Sequence, residues 1–197
     1  MKEYYDRRAP EYDDWYLGRG LFAERDRPGW EAEVEALHAA IEALPAARTL
    51  DVACGTGFLT QHLPGEVTGL DQSPRMLEEA ARQAPAATLV EGDALELPFP
   101  DASFDRVFTG HFYGHLDEEQ RRRFVDEAHR VAGELVVVDS SRGGSEVDEA
   151  DSQRVLEDGS RWSVYKRWFT GDGLAGELSG EVLFDGRWFV MVRSRAA

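Results

Sequence analysis

Residues 49–63 read TLDVACGTGFLTQHL, and this stretch decides the fold of the chain. An apolar run ends at Asp51, gives way to a loop of small residues from Ala53 to Gly57, and resumes with helical spacing. The pattern predicts a strand, a loop and a helix, so that a ligand can lie against the loop backbone at the positive end of the helix. Twenty positions after Asp51, at the end of the next apolar run, stands Asp71. A carboxylate there can accept two hydrogen bonds from a ribose diol, so the sequence predicts a nucleoside pocket.

Two common nucleotide-binding patterns do not fit this loop. The dinucleotide pattern G-x-G-x-x-G fails in both registers, because Phe58 or Thr60 stands where the third small residue is needed. The phosphate-loop pattern fails because no Gly-Lys-Ser/Thr follows the glycines. The loop therefore indicates a different class of nucleoside ligand.

The loop sequence DVACGTG resembles the first motif of the class I S-adenosylmethionine-dependent methyltransferases, which is usually written D-x-G-x-G-x-G. Ala53 stands where that family most often has glycine, and we expect only a slightly tighter approach there. Four further segments resemble other parts of the family in the right order, one before this motif at residues 4–16 and three after it at 67–77, 90–112 and 134–140. The first of them is similar to the aromatic lead-in of small-molecule methyltransferases of ubiquinone and menaquinone biosynthesis.

The resemblance implies S-adenosylmethionine as the cofactor and assigns roles around it. Asp51 would order the loop and face the amino group of the methionine part, and Asp71 would hold the ribose diol. Asp93 would accept the adenine amino group, unless it only forms an Asx turn, and Met76 would flank the adenine, unless it faces the core. The expected cofactor-binding residues are Tyr5, Tyr12, Asp51, Ala53, Cys54, Gly55, Gly57, Asp71, Gln72, Met76, Asp93, Ala94 and Thr109.

Acceptor chemistry is expected after the fourth predicted strand, where residues 109–115 read TGHFYGH. Because a sulfonium methyl is already activated, the protein has to hold an acceptor lone pair in line with the S–CH₃ bond and exclude water. We expect His111 to act as a base or to orient the acceptor, with Tyr113 and His115 as helpers. The alternative is that all three are hydrogen-bonded structural groups. No metal is expected, because Gly110 and Gly114 disfavour a regular helix that would bring the two histidines together.

Two aromatic groups flank this region, and each has two interpretations. The first group comprises Tyr4, Tyr5, Tyr12, Trp15 and Tyr16. Either these rings fold over the cofactor, where ring faces attract a sulfonium cation, or they only pack the N-terminal helix. The second group follows the fifth predicted strand and comprises Trp162, Tyr165 and Trp168 with the basic residues Lys166 and Arg167. Either this group favours an aromatic or anionic acceptor, or its tryptophans only pack the core.

Composition narrows the expected partners. The 197 residues carry a net charge of −16, which argues against nucleic acid because its phosphates would be repelled. The single cysteine, Cys54, excludes an intramolecular disulfide and is consistent with a reducing cytoplasm. The sequence shows no signal-peptide pattern and no apolar stretch near the roughly 20 residues of a membrane helix. We therefore expect a cytoplasmic protein with a small-molecule acceptor, no nucleic acid and no membrane.

Hydrophobic periodicity and turn residues predict an α/β fold. The predicted strands are 49–53, 67–71, 88–92, 104–109, 134–139, 181–185 and 187–194, the last two forming a hairpin at Asp185-Gly186. The predicted helices are 30–44, 57–63, 74–83, 117–131 and 147–157. This pattern indicates a parallel sheet with one antiparallel strand at its edge and helices on both faces. The resemblance implies a Rossmann-like sheet with the strand order 3-2-1-4-5-7-6.

The whole chain, 1–197, is expected to form one methyltransferase domain with three parts. Residues 1–45 would form an N-terminal cover and helix, 46–140 the cofactor-binding half, and 141–197 the acceptor side with the C-terminal hairpin. The leading function is methyl transfer to an O, N or C atom of a small molecule. Two alternatives stay open, namely a non-catalytic protein that binds S-adenosylmethionine and an enzyme that uses it for a non-methylating reaction. Neither the acceptor nor the oligomeric state is predicted.

Overall fold

Strands and helices alternate through most of the chain in the computed structural model, which describes residues 1–196. The strands are β1 (Ala47–Val52), β2 (Gly65–Asp71), β3 (Thr88–Glu91), β4 (Phe104–Gly110), β5 (Ala132–Ser140), β6 (Glu149–Val155), β7 (Arg161–Arg167), β8 (Glu181–Asp185) and β9 (Phe189–Arg195). The helices are α1 (Lys2–Arg8), α2 (Asp14–Leu17), α3 (Trp30–Glu42), α4 (Pro74–Gln83), α5 (Glu118–Val131) and α6 (Gly171–Leu178). Within residues 1–196, no helix combines the length and the apolar character that a membrane span needs.

Seven strands form the main sheet in the order β3-β2-β1-β4-β5-β9-β8. The first five pair in parallel, whereas β9 is antiparallel to both β5 and β8. Counted within this sheet, the order is 3-2-1-4-5-7-6, so the expected topology and the C-terminal hairpin are confirmed. One detail of the prediction was wrong. The antiparallel strand does not lie at the edge, because β8 pairs with it on the outside.

β5 shows how the core is divided between the two faces of the sheet. Leu135 and Val137 pack in one layer with Phe124 of α5, whereas Val136 and Val138 pack in the other layer with α3. All five side chains are fully buried. The prediction of a strand buried on both faces, made from its continuous apolar run, is therefore confirmed.

Two helix starts that local sequence predicts are confirmed. The Ser73 side chain accepts a 3.1 Å hydrogen bond from Met76 N, and Pro74 begins α4. Asp117 and Gln120 form a reciprocal capping box at the start of α5. Because α4 begins directly after β2, its cap fixes the backbone beside the strand-end carboxylate.

The segment after the glycine loop is not the helix that its pattern predicts. Only one 3₁₀ turn forms there, at Thr60–His62. The prediction of a helix at 57–63 was wrong because Pro64 and Gly65 end the segment before further turns can form. The loop therefore does not lie at the positive end of a long helix, and side chains have to hold its backbone.

The helix predicted at 147–157 is also wrong, because the strand β6 lies there. Half-buried and exposed residues alternate along β6, which is the period of a strand. β6 pairs antiparallel with β7, so that Ala150 lies opposite Lys166 and Ser152 opposite Val164. This separate two-stranded hairpin carries the aromatic stretch 161–169 over the carboxyl ends of β4 and β5.

Candidate active site

A cavity of about 500 Å³, the main cavity, lies at the carboxyl ends of β1, β2 and β4. Open α/β sheets bind ligands at this edge. Its wall includes nine of the predicted cofactor-binding residues, which are Tyr5, Tyr12, Ala53, Gly55, Asp71, Gln72, Met76, Asp93 and Ala94. His111 and His115 line the same cavity. The structure thus brings together most of the residues that the sequence singled out.

The glycine loop turns through left-handed backbone conformations at Ala53, Gly55 and Gly57, where φ is 58°, 56° and 82°. A Cβ atom at Gly57 would lie 3.1 Å from Cα of Ala80, so only glycine lets the loop pack this closely on α4. Gly55, by contrast, exposes its backbone to the main cavity. The conformation of Ala53 costs an L-residue roughly 1 kcal/mol, which a glycine would avoid. The effect of alanine here is therefore backbone strain, beyond the tighter approach expected from the sequence.

Asp71 fixes the loop from the end of β2. Its Oδ2 accepts a 3.0 Å hydrogen bond from Gly55 N, and its Oδ1 accepts one of 2.9 Å from Ser73 N. Burial raises the pKa of this carboxyl despite the backbone donors. Each carboxylate oxygen can accept more than one hydrogen bond, so Asp71 retains acceptor capacity toward the cavity that it lines.

Asp51 is the second-last residue of β1, just before the glycine loop. Its Oδ2 accepts a 2.6 Å hydrogen bond from Thr60 Oγ1, whereas its buried Oδ1 has no donor within residues 1–196. Burial raises the pKa of Asp51 to about 7, so the carboxyl changes its charge near neutral pH. Asp51 and Cys54 line a small cavity of about 20 Å³ that shares Tyr12 and Gly55 with the main cavity. An ammonium group placed there would supply both the missing donor and the compensating charge.

Met76 and Asp93 also line the main cavity. Met76 is buried and also lines the cavity, so its side chain belongs to the core and to the wall. Asp93 Oδ1 accepts a 2.9 Å hydrogen bond from Leu95 N, which is the Asx turn of the alternative interpretation. Asp93 lines the cavity as well. The turn therefore places the carboxylate and does not remove it from the site.

Two acidic side chains hold the N-terminal segment, residues 1–29, over the main cavity. Asp6 Oδ1 accepts a 2.6 Å hydrogen bond from Ser73 Oγ, and Asp13 Oδ1 accepts one of 2.5 Å from Thr56 Oγ1. Thr56 belongs to the glycine loop, and Ser73 follows Asp71 and Gln72 of the cavity wall. The two hydrogen bonds therefore brace both of these segments. The segment thereby places Tyr5 in the cavity wall.

The N-terminal aromatic residues divide between the wall of the main cavity and the packing around it. Tyr5 and Tyr12 line the main cavity. Tyr4 instead packs on Trp162, at 5.7 Å between ring centroids. Trp15 and Tyr16 meet the ring of His111 edge-on, at 4.9 Å and 5.6 Å.

His115 presents a hydrogen-bond acceptor to the site. Its Nδ1 lies 2.6 Å from the backbone carbonyl oxygen of Tyr165. Because a carbonyl oxygen only accepts, Nδ1 carries the proton and Nε2 keeps an unshared lone pair. Burial lowers the pKa of His115 to about 3, so the imidazole is neutral at physiological pH.

His111 follows β4 in a left-handed conformation, with φ of 57°, and its N donates a 2.8 Å hydrogen bond to Val138 O. Its Nδ1 lies 3.3 Å from Ser140 Oγ and 3.9 Å from Asp139 Oδ1. Its Nε2 is buried and has no partner in the described part of the chain. Burial lowers the pKa of His111 to about 3. A buried nitrogen without a partner at a cavity wall marks a position that a ligand can complete.

The structure does not bring every predicted residue to the main cavity. The Tyr113 hydroxyl donates a 2.9 Å hydrogen bond to Glu177 Oε1 of α6, and its ring is buried in the core. The Thr109 hydroxyl donates a 2.7 Å hydrogen bond to Val52 O and thus ties β4 to β1. Asp51, Cys54 and Gly57 do not line the main cavity either. The role of Tyr113 as a helper of His111 is therefore not supported by its position.

Asp139 is a site residue that sequence reasoning missed. Its buried carboxylate accepts 2.7 Å hydrogen bonds from Gly114 N and Ser140 N and pairs with the ammonium group of Lys166. Burial alone would raise the pKa of Asp139, but the charge and hydrogen bond of Lys166, together with the two nearby histidines, outweigh burial and lower the pKa. Asp139 lies near the end of β5 much as Asp51 lies near the end of β1, so the same strand-end argument was available for it.

A second chamber, of about 200 Å³, adjoins the main cavity. The two share Tyr12, His111 and His115. The remaining wall of the second chamber comes from the N-terminal segment, from the end of β5 and the residues after it, from the β6–β7 region and from four tryptophans, which are Trp15, Trp30, Trp168 and Trp188. The two histidines thus lie at the boundary between the two spaces.

Comparison with known proteins defines the class of this chain. A family model described as a methyltransferase domain matches residues 50–135. The solved complex of DhpI with S-adenosylhomocysteine superposes with a TM-score of 0.73 at 26% identity, covering 99% of this chain and 94% of DhpI. The chain belongs to the class I S-adenosylmethionine-dependent methyltransferases, and S-adenosylmethionine is its cofactor.

Curated relatives include demethylmenaquinone methyltransferases. The enzyme of Thermotoga maritima is 35% identical over 143 residues, and that of Lysinibacillus sphaericus is 33% identical over 142 residues. These matches cover 68% and 66% of this chain, and 59% and 58% of the relatives. The chain thus spans about three-fifths of the length of these relatives.

The residues present fit the cofactor. The ligand offers an ammonium group, a ribose diol and an adenine amino group, and each needs an acceptor. Asp51, Asp71 and Asp93 present carboxylates in that order at or just beyond the ends of β1, β2 and β3, and the free Oδ1 of Asp51 is buried without a donor. The observed set of donors and acceptors therefore matches the ligand's chemistry.

Proposed function

We propose that this protein transfers the methyl group of S-adenosylmethionine to a small-molecule acceptor held in the second chamber. The observation that carries the proposal is the position of His111 and His115 at the boundary of the two cavities. Neither Nε2 has a hydrogen-bond partner among residues 1–196. The unshared acceptor of His115 and the unpartnered ring nitrogen of His111 at this boundary are suited to holding a group that is to be methylated.

The cofactor-binding residues keep the roles that the resemblance implies. Asp71 accepts the ribose hydroxyls, Asp51 accepts the ammonium group, and Asp93 with Ala94 receives the adenine amino edge. Gln72 and Met76 form the wall beside the adenine, while Tyr5 and Tyr12 close the cavity and exclude water. The support for this assignment is that these groups lie at the right strand ends and have acceptor capacity left.

At the acceptor, the protein's task is positional. S-adenosylmethionine supplies a methyl group that is already activated by the sulfonium charge. His115 Nε2 accepts a hydrogen bond from an O–H or N–H of the acceptor and so directs its lone pair. With a pKa of about 3, His115 is a weak proton acceptor in the free protein and serves to orient the acceptor. Asp139 holds the turn that carries His115, through its hydrogen bond from Gly114 N.

We propose a single domain in three parts, residues 1–45, 46–140 and 141–197, with the β6–β7 hairpin in the third part. The middle part holds the cofactor, and the outer two enclose the acceptor. The net charge of −16 supports a small-molecule acceptor over nucleic acid. The buried free thiol of Cys54 is compatible with the cytoplasmic location that we propose.

The test is an assay with S-adenosylmethionine labelled in its methyl group and a panel of small acceptors, followed by mass spectrometry. We expect a labelled product and S-adenosylhomocysteine in equal amounts. Cofactor binding without any labelled product across the panel would favour the non-catalytic binding protein. An unlabelled but altered product would show a non-methylating enzyme and contradict the proposal.

A further inference from the structure

Four arginines face the second chamber without a carboxylate partner. They are Arg8, Arg25 and Arg27 of the N-terminal segment and Arg154 of β6. No Asp or Glu lines this chamber, and none of the four forms an ion pair within residues 1–196. Arginines elsewhere, such as Arg106 and Arg193, pair with glutamates. In a chain with a net charge of −16, four unneutralised guanidinium groups at one cavity are a localised exception.

Two of these arginines are positioned without being neutralised. Arg8 Nη1 donates a 2.6 Å hydrogen bond to Tyr4 Oη, and its guanidinium lies 4.8 Å from the ring centroid of Tyr12. Arg27 Nη1 donates a 2.7 Å hydrogen bond to a backbone carbonyl, and its guanidinium lies 3.8 Å from the ring centroid of Trp30. Stacking on aromatic rings fixes the orientation of the guanidinium planes and keeps their charge.

Arg154 lacks even this support. Its Nε is buried and has no hydrogen-bond acceptor within residues 1–196. Burial lowers the pKa of Arg154 and of Arg25, and the charge of Arg8 lowers both further. The guanidinium groups therefore repel one another, and a bound anion would relieve both the repulsion and the unmet hydrogen bond.

The nearby carboxylates do not neutralise these arginines. Asp139 is engaged by Lys166 and by two backbone amides. Glu11 lines the adjoining cavity with Arg8, Arg25 and Arg154, but its Oε2 accepts a 2.9 Å hydrogen bond from Glu157 N and it forms no ion pair in the described chain.

On the basis of the proposed function, we propose that the acceptor carries an oxyanion group, of the phosphate, phosphonate or carboxylate type, anchored by Arg8, Arg25, Arg27 and Arg154. Guanidinium forks bind such groups through paired hydrogen bonds. The chamber of about 200 Å³ suits a small molecule. His111 and His115 then lie between this anchor and the cofactor, so the anchor sets how far the acceptor reaches into the main cavity.

Calorimetry on the protein saturated with S-adenosylhomocysteine tests the anchor. Inorganic phosphate and acetate are titrated as oxyanions, and phenol as a neutral aromatic, at constant ionic strength. The variants are Arg154→Gln and its matched control Arg161→Gln, which removes the same charge from an exposed residue of the same hairpin. We expect an oxyanion to bind the wild type and Arg161→Gln alike, and to bind Arg154→Gln about tenfold to a hundredfold more weakly.

The outcomes separate this inference from the proposed function. Tighter binding of phosphate than of acetate assigns the phosphate or phosphonate type, and the reverse order assigns a carboxylate. Normal S-adenosylhomocysteine binding with phenol bound and neither oxyanion bound would overturn the anchor and leave the methyltransferase proposal standing. Equal weakening in both arginine variants would also overturn it, because long-range charge alone would explain the result. Failure of the folded wild type to bind S-adenosylhomocysteine would overturn both.

Discussion

The main cavity and the second chamber lie side by side but are built differently. In the main cavity, strand ends and loop backbone carry Asp71 and Asp93, and Tyr5 and Tyr12 cover them. The two carboxylates are fixed by backbone hydrogen bonds from Gly55 N and Ser73 N to Asp71 and from Leu95 N to Asp93. The second chamber is formed by long arginine and tryptophan side chains from segments outside the main sheet, together with residues that follow β5. Cofactor recognition is thus a property of the sheet, and acceptor recognition is largely a property of its cover.

The largest expected effect is on turnover and comes from a change to His115, at the boundary between the main cavity and the second chamber. In His115→Asn, the amide can still donate to the Tyr165 carbonyl, but the Nε2 acceptor is lost. We expect turnover to fall about a hundredfold while S-adenosylhomocysteine affinity stays unchanged. Steady-state kinetics and calorimetry measure the two quantities, and His62→Asn, on a surface residue paired with Glu42, is the control. Unchanged turnover in His115→Asn would leave the boundary without its proposed role.

The charge of Asp51 gives a pH test of the main cavity. The pKa of Asp51 is about 7 in the free protein, and a bound ammonium group favours the ionised carboxylate. Below pH 7, the Asp51 carboxyl therefore has to lose its proton when the ligand binds. We expect S-adenosylhomocysteine to bind about tenfold more tightly at pH 8 than at pH 6. In Asp51→Asn, this pH dependence should vanish. Persistence of the same profile in Asp51→Asn would assign the titration to another group.

The attachment of the cover to the loop should have a smaller effect. Asp13→Ala removes the acceptor of the Thr56 hydroxyl and frees the N-terminal segment from the glycine loop. We expect faster amide hydrogen exchange in residues 1–29 and roughly threefold to tenfold weaker S-adenosylhomocysteine binding. Asp14→Ala, at the neighbouring position, is the control. Equal exchange rates in the two variants would contradict the bracing role of Asp13.

Backbone strain at Ala53 gives the smallest effect. Ala53→Gly should raise the free energy of unfolding by about 1 kcal/mol, because glycine adopts the left-handed conformation without strain. Ala102→Gly, at another residue with positive φ of 54°, should stabilise by a similar amount outside the site. Chemical denaturation measures both. A loss of stability in Ala53→Gly would mean that the Ala53 methyl group packs more favourably than its backbone strain costs.

The two regions also differed in how much the sequence revealed. Asp71 and the cap at Ser73 follow from short-range patterns, because strand ends and helix caps are determined by neighbouring residues, whereas Asp93 follows from the family resemblance. The five parallel strands were predicted for the same reason. Where a short segment carried a helical pattern, as at 57–63, Pro64 and Gly65 prevailed over periodicity.

The acceptor side was harder to predict because its contacts are remote in sequence. Lys166 reaches Asp139 across 27 positions, and Arg154 meets Arg8 only through the fold. The polar sequence at 147–157 predicts a helix where β6 lies, so Arg154 is absent from the predicted site. Tyr113 shows the opposite error, since its place between two histidines says nothing about which way its ring points.

The central claim is that a cofactor site at the strand ends is organised by Asp71. It is tested most directly by calorimetric titration of S-adenosylhomocysteine into the wild type, Asp71→Asn and the control Asp105→Asn, whose carboxylate pairs with Arg48 on the surface. The account predicts binding to the wild type and to Asp105→Asn with equal affinity, and about tenfold to a hundredfold weaker binding to a folded Asp71→Asn. Equal affinity in all three proteins would contradict it.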